Sequence, residues 1–134
     1  MKVDGGIGGF ENAGDLAKMQ EAQGFDGLWS AETGHDPFFP LLVAGLATEK
    51  VQLGTGIAVA FARSPMTTAM QANDLQLASK GRFILGLGSQ VRAHVTRRFS
   101  MPWGRPAPQM REYIGALRAI WASWNDGRPL DVRG

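Results

Sequence analysis

Short apolar runs and longer segments with helical periodicity alternate four times along this chain. The apolar runs cover residues 2–7, 27–31, 51–59 and 82–88, and a glycine-rich or polar turn follows each of the first three. After these turns the apolar residues recur every three or four positions, which is typical of an amphipathic helix. A fourth such helix comes after a longer loop. The pattern therefore predicts four consecutive strand–helix units.

Capping residues predict where the first two helices begin and end. Asn12 and Asp15 have the spacing of a capping box, and Gly24 stands where the first helix would stop. Asp36 followed by Pro37 predicts the start of the second helix.

The third helix is expected to begin at Ser64–Pro65 and to stop at Gly81, and a long loop is expected between the fourth strand and the fourth helix. Residues 106–124 show the clearest helical stripe, which we expect to be core packing. Its apolar positions are Met110, Tyr113, Ile114, Leu117, Ile120, Trp121 and Trp124.

The succession of units predicts an α/β fold with a parallel sheet, because parallel neighbours need a helical crossover. A doubly wound nucleotide-binding fold would carry G-x-G-x-x-G after its first strand. Glu11 and Val91 stand where the third glycine of the two candidate motifs belongs. A TIM (β/α)8 barrel needs no such motif and keeps its functional residues in the loops after the strands. We therefore expect about the first four units of such a barrel.

Composition restricts the class of protein. The 134 residues include 18 glycines, 7 prolines and no cysteine, and 44% are hydrophobic, as in a globular chain of one domain. Without cysteine, disulfides, thiol catalysis and cysteine-ligated metals are excluded, and no metal site is expected. The longest apolar run, residues 41–47, is far shorter than the roughly 20 residues that span a bilayer, and no secretory signal is present. We expect a cytoplasmic protein with no membrane partner.

Charge is unevenly distributed along the chain. Residues 1–50 hold eight acids and three bases, whereas residues 51–134 hold four acids and eleven bases. Seven arginines lie between Arg82 and Arg118. Because no nucleic-acid motif or row of aromatic residues accompanies them, we expect no nucleic-acid partner. The arginines indicate either a local anion site or a solvated basic surface.

Glu32 and His35 are the candidate catalytic residues. They follow the second predicted strand, in a turn that a barrel directs towards its active site. Histidine titrates near neutral pH, and a neighbouring carboxylate can share its proton. The alternative is structural: Glu32 pairs with an arginine elsewhere, and His35 helps to cap the helix that begins at Asp36.

Two glycine-flanked turns are candidate binding sites. Gly56 and Ile57 close the third strand, where glycines either let the backbone approach a flat ligand or simply fill a barrel interior. After the fourth strand, backbone donors, a hydroxyl and a guanidinium could hold a phosphate or a carbonyl-rich ring edge. The residues of this second turn are Gly88, Ser89, Gln90 and Arg92.

Taken together, several segments resemble the luciferase-like superfamily of flavin- and deazaflavin-dependent monooxygenases and oxidoreductases, along nearly the whole chain. The segments are Gly24-Phe25-Asp26, residues 51–57, Ser64-Pro65, Gly81-Arg82-Phe83 and Gly86-Leu87-Gly88. Residues 89–94, 97–99 and 101–103 are similar to the branch that uses coenzyme F420 rather than FMN.

The resemblance implies a barrel that transfers hydride at the ring of F420, with FMN as the alternative cofactor and a small molecule as substrate. It also implies that the ring rests on a cis peptide bond, here Gly56–Ile57. Glu32 stands where deazaflavin relatives often have histidine, and Val91 stands where some carry glutamate. The proton donor is therefore either Glu32 or His35.

Length raises a second possibility for the function. A complete barrel has about 250 residues, so residues 1–134 correspond to the N-terminal part of one barrel domain. The chain is either a truncated oxidoreductase or a non-catalytic barrel fragment, or half-barrel, that only self-associates. Because an open half-barrel exposes two sheet edges, we expect a homodimer or self-association through those edges.

Overall fold

The structure is a computed structural model that describes residues 1–131; residues 132–134, which close the predicted domain, lie outside the described part. The chain divides into two compact units. Unit 1 holds Met1–Ala58 and Gln71–Leu87, and unit 2 holds Val59–Met70 and the chain from Gly88 onward.

Within residues 1–131, the structure contains six short strands and four α-helices. The strands are β1 (Asp4–Gly6), β2 (Gly27–Ser30), β3 (Gln52–Thr55), β4 (Ala58–Val59), β5 (Phe83–Ile84) and β6 (Leu87–Gly88). The helices are α1 (Ala13–Ala22), α2 (Phe38–Ala47), α3 (Pro65–Ala78) and α4 (Pro106–Asp126). A 3₁₀ turn spans Ala60–Ala62, and a π-helical turn, His94–Arg98, lies within the segment predicted as a long loop.

Unit 1 contains a four-stranded parallel sheet in the order β1-β2-β3-β5. Its register places Leu28 opposite Leu53 and Leu53 opposite Phe83. Successive strands are therefore neighbours, and each pair is joined by a segment that contains a helix. The predicted α/β fold with a parallel sheet of successive units is confirmed.

Two predicted strands are interrupted. The run 51–59 was expected to be one strand, but β3 ends at Thr55 and β4 begins at Ala58, with a cis peptide bond between Gly56 and Ile57. The run 82–88 is likewise divided between β5 and β6. Hydrophobic patterning does not reveal such breaks, because the residues at the break are themselves small or apolar.

Two of the residues predicted at helix ends, Asp36 and Gly24, take the expected roles. Asp36 caps α2 as predicted, since its Oδ2 accepts hydrogen bonds from the N–H groups of Phe38 at 2.7 Å and Phe39 at 2.9 Å. Asn12 precedes α1 but makes no side-chain capping bond, so the predicted capping box is wrong. Its ψ of 16° is far from the extended backbone that capping needs. Gly24 takes φ +91° just after α1, as expected of a residue that ends a helix.

The helix-facing side of the sheet carries the core of unit 1. Leu28, Leu53 and Phe83 lie in one register row and are all buried. Burial of each leucine stabilises the fold by about 2 kcal/mol. A Cβ on Gly45 of α2 would lie 3.2 Å from Leu53 Cδ1, so the missing side chain lets this helix approach the sheet closely.

Arg82 ties helix and strand ends together at the amino end of the sheet. Its Nε–H donates to the Ser79 carbonyl at 2.7 Å. The terminal nitrogens donate to the Thr48 hydroxyl and to the carbonyls of Val51, Gly45 and Thr48, at 2.9–3.0 Å. Because the five donors of the guanidinium are directed at internal acceptors, Arg82 does not contribute to an anion site. The expectation of such a site in the arginine-rich stretch is wrong for this residue.

Glu21 of α1 closes the turn between α2 and β3. Its carboxylate accepts hydrogen bonds from three successive backbone N–H groups, those of Glu49 at 3.1 Å, Lys50 at 2.7 Å and Val51 at 3.0 Å. Partial burial by itself would raise the pKa of Glu21. The three backbone hydrogen bonds, together with the charge of Arg82, outweigh this effect and hold the pKa below its usual value of 4.5.

Unit 2 is built around α4 and the beginning of α3. The Tyr113 ring meets the ring of Phe61 edge-on, with 6.5 Å between centroids. Its hydroxyl shares a hydrogen bond with Thr68 and donates to the Arg63 carbonyl at 3.1 Å. Burial raises the pKa of Tyr113, and this effect outweighs the opposite influences of Thr68 and of the Arg63 charge.

Only part of the apolar stripe of α4 is buried in the core of unit 2. Leu117 and Ile120 are buried, and Trp121 is half-buried and donates its Nε1–H to the Ala69 carbonyl at 3.4 Å. Trp124 is 45% exposed, so the prediction that it packs into the core is wrong. It lies in the last turn of α4, beyond the last buried position of the stripe.

Candidate functional site

The loops after β2 and β3 are joined by backbone hydrogen bonds at the carboxyl edge of the unit 1 sheet. The N–H of Gly56 donates to the Ser30 carbonyl at 2.8 Å. The N–H of Glu32 donates to the Ile57 carbonyl at 3.1 Å. The structure therefore brings three sequence-predicted residues together: Glu32, Gly56 and Ile57.

Gly56 and Ile57 form an exposed ledge between buried neighbours. Thr55 and Ala58 are fully buried, whereas Ile57 is 36% exposed. The Gly56–Ile57 peptide bond is cis, as the family resemblance implies. We call this pair the β3 ledge; it presents backbone and one aliphatic side chain.

Trp29 supports the β3 ledge, and sequence reasoning did not identify it. A Cβ on Gly54 would lie 2.3 Å from Trp29 Cζ3, and one on Gly56 would lie 3.5 Å from Cε3. The indole therefore lies across both glycines, and its Nε1–H donates to Asp4 Oδ2 at 3.1 Å. In the sheet register Trp29 stands between Gly6 and Gly54. This row of glycine, tryptophan and glycine could have pointed to the contact once the register was known.

Thr55 is a second residue whose role the sequence did not reveal. Its hydroxyl donates to the Gly86 carbonyl at 2.7 Å and accepts from the Gly86 N–H at 2.8 Å. The Ala58 N–H also donates to the Gly86 carbonyl, at 2.9 Å. A Cβ on Gly86 would lie 2.1 Å from the Thr55 carbonyl oxygen, so only glycine fits there. The chain just past β5 is thus fixed to the end of β3.

His35 lies in the loop that also carries Glu32. Its Nε2 is 3.4 Å from the Thr33 hydroxyl, and its Nδ1 is 3.4 Å from the Asp36 carbonyl. A Cβ on Gly9 would lie 3.8 Å from Nε2, so the imidazole reaches the loop after β1. Because the Asp36 carboxylate caps α2, the structure gives no support to a capping role for His35.

Glycines after β1 leave open space at this same edge of the sheet. A Cβ on Gly8 would have no neighbour within 4 Å, and one on Gly9 would meet only His35. An edge with few side chains lets backbone groups approach the rim of a flat ring while its face rests on an apolar surface. The residues present therefore fit a deazaflavin or flavin ring against the β3 ledge.

The remaining cofactor candidates lie in unit 2, where β6 ends. The Ser89 hydroxyl donates to the Gln90 carbonyl at 3.3 Å, and Gln90 Oε1 accepts from the Val91 N–H at 3.1 Å. Gln90 takes φ +60°, and the turn leads into the π-helical turn that buried Val95 anchors. The side chains of Ser89 and Gln90 thus have local partners, whereas Arg92 is exposed; Gly88 is the last residue of β6.

The described part of the chain offers neither a metal cluster nor a membrane-spanning helix. Residues 1–131 contain no group of three or more His, Cys, Asp or Glu side chains arranged to hold a metal ion. None of the helices within this range is long and apolar enough to cross a bilayer.

The chain belongs to the luciferase-like monooxygenase family, whose family model matches residues 2–134. The Mycobacterium tuberculosis protein Rv1360 is 56% identical over 135 residues, which cover 100% of this chain and 40% of that protein. Rv3520c of the same organism, provisionally named a coenzyme F420-dependent oxidoreductase, is 37% identical over 113 residues, or 84% of this chain and 33% of that protein. This chain therefore spans two fifths or less of the length of these relatives.

Solved structures show the same fold. The F420-dependent tetrahydromethanopterin reductase of Methanopyrus kandleri superposes with a TM-score of 0.75 at 21% identity, covering 99% of this chain and 42% of that one. The oxygenating component of 3,6-diketocamphane monooxygenase from Pseudomonas putida, solved with FMN, gives 0.75 at 17% identity, covering 84% and 35%. The predicted family and fold class, a partial barrel of the luciferase-like type, are confirmed.

Proposed function

We propose that this chain carries the β3-ledge part of the cofactor site of an F420-dependent oxidoreductase, with FMN as the alternative cofactor. The observation that carries the proposal is the β3 ledge: an exposed, side-chain-poor surface held by two backbone hydrogen bonds beside Glu32. The similarity to Rv3520c favours F420 over FMN.

The chain's own residues have three roles in this proposal. Gly56 and Ile57 support one face of the ring, while Gly8 keeps the neighbouring space free of side chains. Within unit 2, Arg92 and the backbone of Gly88, Ser89 and Gln90 offer donors to an anionic group.

Proton transfer is the third role. A bound deazaflavin or flavin would supply the position that takes up or releases hydride. Glu32 or His35 would hold the proton that accompanies it, since both side chains belong to the loop beside the β3 ledge. The substrate would be a small molecule.

Binding of F420 and of FMN to the purified chain tests the proposal. We expect F420 to bind with a Kd of about 10 μM and FMN to bind at least tenfold more weakly. Gly8→Leu should weaken binding about tenfold, because the open space at Gly8 accepts a side chain without a clash and the ring would then meet it. Fluorescence titration measures the dissociation constants of the parent chain and of the variant. Circular dichroism shows whether the variant is folded.

Gly115→Leu is the matched control, since a Cβ added to Gly115 of α4 would also have no neighbour within 4 Å and this residue lies outside the proposed site. Its affinity should equal that of the parent chain. If neither cofactor binds, this proposal fails and the non-catalytic barrel fragment becomes the better description. If FMN binds more tightly than F420, the cofactor assignment is reversed.

A further inference from the structure

A tryptophan and an aspartate form a hydrogen-bonded pair on the face of the unit 1 sheet that points away from the helices. Leu28 faces the helices, so its neighbour Trp29 lies on the opposite face. Asp4 lies on this face too, two residues before Gly6, which stands opposite Trp29 in the register. Asp4 Oδ2 accepts the Trp29 Nε1–H at 3.1 Å, and this bond fixes the orientation of the indole.

Two glycines make room for these side chains, which we call the Asp4–Trp29 pair. A Cβ on Gly27 would lie 2.8 Å from Asp4 Oδ1, and one on Gly54 would lie 2.3 Å from Trp29 Cζ3. A larger residue at either position would therefore displace the pair. The interior layers of a barrel are normally filled by branched side chains. Here the six-membered ring of the indole lies over a glycine instead, which leaves a flat aromatic surface along the sheet.

The Asp4–Trp29 pair lies next to the β3 ledge. Trp29 is the last residue of β2 on this face, because Ser30 faces the helices. A Cβ on Gly56 would lie 3.5 Å from Trp29 Cε3, so the indole reaches the ledge itself. It is only half-buried, and Ile57 of the ledge is 36% exposed. One end of the sheet thus offers an aromatic and an aliphatic surface side by side.

We infer that the accessible part of the Trp29 indole is a stacking surface for the flat ring of the cofactor, and that Asp4 is a positioning residue for the indole. The inference rests on the proposed function and adds a second surface to the β3 ledge. Stacked aromatic rings gain attraction beyond the area that they bury, so the indole favours a planar aromatic ligand. Asp4 acts only through Trp29, by holding the Nε1–H.

Titration of F420 into the full 134-residue chain tests both residues. Trp29→Leu should raise the Kd about tenfold, because it removes the aromatic surface. Asp4→Ala should raise the Kd about fivefold, whereas Asp4→Asn should stay within about twofold of the parent, since an amide oxygen also accepts the indole N–H. Trp124→Leu is the matched control, because Trp124 is 45% exposed in α4 of unit 2. Its Kd should equal that of the parent, and circular dichroism shows whether each variant is folded.

The fluorescence of bound F420 separates direct contact from support of the ledge. An indole in contact with a flavin-type ring quenches the emission of that ring, so Trp29→Phe should increase the emission of saturated F420 about fivefold. Trp124→Phe should leave the emission unchanged.

Three results would overturn the inference while the proposed function stands. They are a parent-like Kd in Trp29→Leu, unchanged emission in Trp29→Phe, and an Asp4→Asn variant that binds as weakly as Asp4→Ala, which would show that Asp4 acts through its charge. A parent chain that binds neither F420 nor FMN would overturn the proposed function and this inference together.

Discussion

Glu32 and His35 are held in different ways by the same loop. The backbone of Glu32 is bonded to the β3 ledge, so the main chain fixes where its side chain begins. The His35 ring is placed by the Thr33 hydroxyl and the Asp36 carbonyl, both at 3.4 Å. Because these contacts are long, the imidazole is the less constrained of the two candidate proton carriers.

Removal of either proton carrier should affect turnover more than binding. Glu32→Gln and His35→Ala should each leave the F420 dissociation constant within about threefold of the parent, and the variant that removes the true carrier should slow oxidation of reduced F420 by menadione about 100-fold. The rate is measured from the return of the absorbance of oxidised F420. Asp74→Asn, an exposed acid on α3, is the control. Parent-like rates in both variants would show that neither residue carries the proton.

Glu21 gives a stability prediction at the residue scale. Its folded-state pKa lies below 4.5, so its contribution is fully present above that pH and is lost as the pH falls through the folded-state value. Glu21→Gln should lower the free energy of unfolding by about 1 kcal/mol at pH 7, and this difference should shrink below about pH 4. Urea unfolding at several pH values measures it. Glu49→Gln, in the same turn, should change stability by less than about 0.5 kcal/mol; an equal loss there would contradict the argument.

At the scale of elements, a side chain of β3 is hydrogen-bonded to the backbone of the chain that follows β5. The ladder between these strands pairs only Leu53 with Phe83 and Gly54 with Ile84. Beyond it, Thr55 takes over both hydrogen bonds to Gly86. This arrangement holds the chain after β5 in place while Gly56 and Ile57 turn out of the strand.

Changes at this link should destabilise the fold to different degrees. Gly86→Ala should cost about 3 kcal/mol or more, because its Cβ would overlap the Thr55 carbonyl. Thr55→Val keeps the shape but removes the hydroxyl, and should cost about 1–3 kcal/mol. Gly115→Ala, in an open helical position, should stabilise by about 0.5 kcal/mol. Chemical denaturation ranks the three; a Gly86→Ala variant as stable as the parent would contradict the contact.

At the scale of the whole molecule, self-association and stability are linked. The expected self-association through the open edges of the sheet stabilises the folded chain by mass action, so its thermal midpoint depends on concentration. The Tm of the chain should rise by a few degrees between about 5 and 200 μM. Differential scanning calorimetry measures this rise. A Tm that does not change with concentration would show that the chain does not associate.

At the same scale, the chain corresponds to only a part of the relatives that it matches. The chain contains four successive units and two fifths or less of the length of its relatives. A cofactor site in a barrel draws residues from the loops of many strands. In the proposal above, the β3 ledge and the Glu32 loop supply one part of such a site, and the activity of the whole enzyme stays a proposal.

Much of the fold could be predicted because it depends on local chemistry. The apolar runs identified the four strand regions, and Asp36 and Gly24 marked helix ends through their own hydrogen bonding and torsion. Asn12 shows the limit of that approach, since its side chain has the right chemistry but its backbone is not extended. The position of Trp124 likewise depends on where the buried surface of unit 2 ends.

The sequence by itself determined the parallel α/β fold, the family and the loop positions of Glu32, His35, Gly56 and Ile57, because periodicity and short motifs are properties of the chain order. Only the tertiary structure decided that Trp29 lies under the β3 ledge, that Thr55 holds Gly86 and that Arg82 is used internally. Each of these facts depends on residues far apart in sequence that the sheet register brings into contact, and register is a property of the folded chain.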